Sequence, residues 1–107
     1  MKHSLQHIQM ASSVDLLTPY NFYSWKSDME IQLCSKGLFR VAMDTEVEPR
    51  CAIEKSRFLN KKDEAFGFLF LSISQDLLVH LMALKTPKEI WDKLETLYGN
   101  HDDLRVY

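Results

Sequence analysis

Cysteine, glycine and proline are all scarce in this chain, and each scarcity removes a class of protein. The two cysteines, Cys34 and Cys51, stand apart with no CxxC or Cys/His ligand spacing, which argues against a disulfide scaffold and a zinc module. Unpaired thiols suit a reducing compartment, so the cytoplasm is the expected location. Three glycines and three prolines in 107 residues are too few for a low-complexity or collagen-like chain. No apolar run reaches the ~18 to 20 residues of a membrane span, and residues 1–10 hold no apolar signal core, so no membrane partner is expected. Charge of one sign is also lacking. A net charge of −2 and a pI near 6.0 supply no long-range positive field to draw in a phosphate backbone. Gly-rich phosphate loops, HExxH and GxSxG are absent as well; without them no enzyme, cofactor, metal site or small-molecule substrate is expected.

What the chain does have is the balance of one folded domain, 46% apolar and 26% charged. At this size a domain buries about two-thirds of the surface its unfolded chain exposes, enough for a core without a staple. Residues 1–15 are polar and read as a loosely ordered arm. Met10-Ala11-Ser12-Ser13 would serve as a start site, which would make the first nine residues an upstream extension. His3 and His7 have the i, i+4 spacing of a helical metal pair, but they lack a third ligand and sit in the arm, where a solvated role is the simpler reading. His80, in an apolar segment, reads as a surface or hydrogen-bonded histidine without a catalytic partner. Lys61-Lys62-Asp63-Glu64 reads as a solvated mixed-charge turn.

Residues 16–99 read as one helical domain, and from Asn21 the periodicity is helical. Phe22, Trp25, Met29 and Leu33 recur at spacings of three and four and share one face of a helix over about 22–36, with Asn21 as N-cap and Gly37 as the left-handed residue after Lys36. Residues 38–43 suggest a short second helix, and 44–49 a loop ahead of Pro49. A third helix over about 53–73 carries Phe58, Ala65, Leu69 and Ile73 on its stripe, with Lys62 forced to snorkel. Phe68 and Leu71 fall off that stripe. They either pack against other helices or form an assembly surface, and the core is the favoured reading. Ser74 reads as the N-cap of a fourth helix over about 75–84, with Ile73 and Leu78 as a hydrophobic staple. Thr86-Pro87-Lys88-Glu89 combines a Thr cap, Pro at N1 and Glu at N3, the signature of a capping box opening a fifth helix. Its face is Ile90, Trp91, Leu94, Leu97 and Tyr98, and Gly99 ends it. Trp25 and Trp91 lie on apolar stripes and read as core. With no strand alternation, the expected fold is all-α, a compact bundle of about five helices.

Three segments in order, Asn21-Phe22-Tyr23-Ser24-Trp25-Lys26, Lys62-Asp63-Glu64-Ala65 through Leu71-Ser72-Ile73-Ser74, and Thr86 through Gly99 with its Thr-x-x-Glu-x-Trp block, resemble the Gag protein of plant copia-type retrotransposons. Where that family often has Trp, this chain has Phe58, a volume-reducing change a core tolerates. The resemblance implies a retroviral-type capsid N-terminal lobe that self-assembles with other copies of Gag into a virus-like particle around the element RNA. It also implies that residues 100–107 lead into a following, truncated lobe, and that RNA is bound only through downstream regions absent here. A host-adapted Gag-derived module for protein–protein interaction is the alternative.

Overall fold

The computed structural model describes residues 15–99; the expectations for the 1–15 arm up to residue 14, for His3 and His7, and for the 100–107 lead-in lie outside them. The chain forms α1 (Phe22–Ser35), α2 (Phe39–Ala42), α3 (Ala52–Leu71), α4 (Gln75–Leu78) and α5 (Pro87–Leu94), followed by a π turn over Glu95–Gly99. No strand occurs among the described residues. A single parallel bridge joins Leu17 to Ile73.

The expected stripes face one another. Phe22, Trp25, Met29 and Leu33 of α1 meet Ala65 and Leu69 of α3 and Ile90, Trp91 and Leu94 of α5, with Leu38, Ala42, Ile73, Leu77 and Leu81 filling between them. The rings of Trp25 and Trp91 lie 6.0 Å apart at 34°. Leu97 and Tyr98 are half-buried at the margin. Burying one such side chain contributes about 1.5 to 3 kcal/mol, against about 0 to 1 for a surface ion pair, so this cluster holds the fold. Phe58 is also buried, at the opposite end of α3, where Lys61 reaches Glu46 and Lys55 reaches Glu48 at 3.2 Å and tie the 43–51 loop down. Lys62 lies on that stripe by placing its ammonium 5.7 Å from the Phe58 ring centroid, a cation–π contact that leaves the charge facing water.

Two helices end in the same way. After α1, Gly37 at φ 73° lets Leu38 N–H reach the Leu33 carbonyl (2.8 Å) and Gly37 N–H reach that of Cys34 (3.0 Å), a Schellman motif. After α2 the pattern repeats with Asp44 at φ 63°, Thr45 N–H donating to Arg40 and Asp44 N–H to Val41.

Several expectations are corrected. Helix α4 stops at Leu78, not Leu84; beyond it His80, Leu81 and Leu84 donate to the carbonyls three residues back, so the segment stays wound in turns that apolar spacing does not distinguish from a helix. Helix α3 ends at Leu71, and Ile73 instead pairs with Leu17. Asn21 occupies the N-cap position of α1 without capping it: its Oδ1 accepts from Thr18 N–H at 2.8 Å, and its amide donates to the Leu16 carbonyl. Ser74 likewise precedes α4 with no side-chain cap, because its backbone carbonyl already takes the N–H groups of Leu77 and Leu78. Gly99 closes a π turn, not an α-helix.

Candidate assembly surface

The chemistry of the described residues is dispersed. They contain no group of three or more His, Cys, Asp or Glu that could hold a metal, and none of their helices is long and apolar enough to cross a membrane. Cys34, Cys51 and His80 are exposed. Cys51 stands at the N-cap of α3, where the backbone N–H groups of Glu54 and then Ile53 hold its thiol below the usual range. The thiolate is the nucleophilic form, and both Cys51 and Cys34 are free cysteines.

Inside, one polar centre organises the helices. The Ser72 carbonyl accepts from the Trp25 indole N–H and from Leu17 N–H, both at 2.9 Å, while the Ser72 hydroxyl donates to the Phe68 carbonyl at 2.8 Å. Buried polar groups need partners of this kind, and no buried side-chain N or O among the described residues lacks one. Leu17, fully buried at 0% exposure, was not legible in the sequence, since a lone apolar pair in a polar segment has no period to betray it. The same holds for the contacts between α1 and the π turn: Lys26 Nζ lies 2.6 Å from Glu95 Oε2, and the Tyr23 hydroxyl donates to the Gly99 carbonyl. Glu95 is the main reason the Lys26 ammonium is held above its usual range, against an opposing effect of burial. Burial likewise raises the Tyr98 phenol.

The two residues off the α3 stripe part company. Phe68 is half-buried against the main cluster, with the Lys36 ammonium 5.0 Å from its ring centroid. Leu71 is 82% exposed, which overturns the core reading for that residue. The reason is its place in the last turn of α3, where the chain bends through Ser72 to the Leu17 bridge. Other large apolar side chains share this exposure, among them Val79 and Met82, three residues apart on the outer side of the segment whose inner side buries Leu77 and Leu81, and Ile31 on α1. Ile31 borders an open groove of about 600 Å³ shared with Glu30, Cys34, Ser35 and Phe39. Periodicity analysis does not find these positions, since it detects what a helix buries and is silent on which leftover side chains matter.

Among the described residues the fold is all-helical, with an apolar core and with large apolar side chains such as Leu71, Val79 and Met82 left exposed. No curated protein and no solved structure matches the chain. The model of one family, gag-polypeptide of LTR copia-type, matches residues 29–106, beginning inside α1 and taking in the whole of α2 to α5, so that two of the three resembling segments fall within it and Asn21 to Lys26 lies just upstream. With well over half of its length matched, the chain belongs to the copia-type Gag polypeptide family.

Proposed function

We propose that this domain is a structural capsid lobe of a copia-type Gag, contributing to self-assembly of a virus-like particle around the element RNA in the cytoplasm. Membership of the Gag family carries the reading. The surface is consistent with it: Leu71, Val79 and Met82 are 82%, 65% and 73% exposed, so folding does not use them, and contacts between many copies would. Individually weak contacts become strong when multiplied over a shell, which permits reversible assembly from lobes that are monomeric when dilute. RNA capture is assigned to Gag regions outside these 107 residues, in keeping with the net charge of −2.

The test is electron microscopy of the complete Gag polypeptide in parallel with light scattering on the 107-residue domain. Particles or tubes from the former and a monomer or weak oligomer from the latter are the expected results. Leu71→Ser in complete Gag should lower particle yield while leaving the unfolding midpoint unchanged. A Gag that forms no assemblies at any concentration, with or without RNA, would overturn the proposal, and so would a tight, concentration-independent dimer of the isolated domain.

A further inference from the structure

At Glu95–Gly99 the chain takes a π turn although its own sequence supports an α winding. Ile90, Trp91, Leu94, Leu97 and Tyr98 have the spacing of an α-helix that runs on to residue 98. A π turn closes its hydrogen bonds over one residue more than an α turn, and such turns are rare. A minority winding persists when contacts outside the helix over-determine it. Here those contacts come from a single turn of α1 and reach both ends of the π turn.

At the near end, Lys26 holds Glu95 at 2.6 Å. At the far end, the Tyr23 hydroxyl donates to the Gly99 carbonyl, and the Phe22 ring lies 6.1 Å from that of Tyr98. Gly99 makes the closure fit. A Cβ at that position would stand 2.7 Å from Glu95 Oε1 and 3.6 Å from the Phe22 ring, so a larger residue makes the flexible end of the Glu95 side chain shift. The Lys26 and Glu95 side chains are 29% and 37% exposed, and ion pairs this open to solvent are weak.

We propose that Glu95–Gly99 is a latch with two registers: a π register closed onto α1 by Lys26, Tyr23 and Phe22, and an α register released from it. The device lies within one copy and does not rest on the assembly reading.

Amide hydrogen exchange and ¹³Cα shifts, measured by NMR on the intact 107-residue chain, test it. Lys26→Met keeps the side-chain stem and removes the charge. The amides of Thr96, Leu97, Tyr98 and Gly99 should then exchange roughly two- to fivefold faster, and their shifts should move toward α values. The amides of Ala65 and Leu69 in α3 should not change. Exchanging the charges, Lys26→Glu with Glu95→Lys, should restore slow exchange. If Lys26→Met leaves those four amides unchanged, or if α3 quickens by the same factor, the contacts are ordinary stabilising ones and the latch is wrong.

Discussion

A few backbone groups decide this structure at the scale of single residues. Thr86 and Glu89 show side chains acting as caps: Thr86 Oγ1 accepts from Glu89 N–H at 3.2 Å, and Glu89 Oε1 accepts from the N–H groups of Thr86 and Lys85. Thr86→Ala should cost about 0.5 to 2 kcal/mol, read as a shift of the urea midpoint at constant slope. Asn21 and Ser74 are cap-type residues at helix starts with no capping bond, so Ser74→Ala should shift that midpoint much less. The left-handed positions make a second pair. Gly37→Ala places a Cβ at φ 73° and should destabilise by about 1 to 2 kcal/mol. Asp44→Gly, at φ 63°, relieves the same conflict but frees the unfolded chain, so the two effects offset and the net change should be small. Thermal melts of both variants check the contrast. Composition and spacing made Thr86 and Gly37 legible, because each carries a local signal; Asn21 misled because the same amide that caps helices also serves a turn such as Leu16–Asn21.

At the scale of elements, α3 is the informative helix. Leu69 and Leu71 are two residues apart, yet Leu69 is 0% and Leu71 is 82% exposed. Leu69→Ala should cost about 2 to 5 kcal/mol, whereas Leu71→Ser should stay within about 0.5 kcal/mol; chemical denaturation of the two variants measures both. The stripes of α1, α3 and α5 were legible because amphipathic spacing records which face a helix buries. The end of α4 was not. Leu77 and Leu81 are buried four residues apart as in a helix, but Leu81 and Leu84 bond to carbonyls three residues back, and apolar spacing does not separate those windings. The exposure of Leu71 escaped for a different reason. Whether an off-stripe residue meets a neighbouring helix depends on how the chain continues past Ser72, which is a property of the packing and not of α3.

For the whole molecule, the sequence carries an all-α bundle and most of its core, but not what joins its ends. The Ser72 carbonyl binds Trp25 from 47 positions away and Leu17 from still further, and neither partner advertises the other. That junction has a kinetic consequence. Helices α1, α3 and α5 can collapse on contacts of their own, whereas the Leu17 bridge needs a turn that exists only once α3 has ended and α4 has begun. It should therefore form late, after the rate-limiting step. Leu17→Ala, which empties a fully buried site, should lose about 2 to 5 kcal/mol, nearly all of it as faster unfolding with the refolding rate almost unchanged. Stopped-flow chevrons on the variant would show this as one raised arm; a lowered refolding arm would place Leu17 in the nucleus instead. On a ribosome the order becomes a waiting time, since Leu17 emerges early and has nothing to dock on until Ser74 has followed it out.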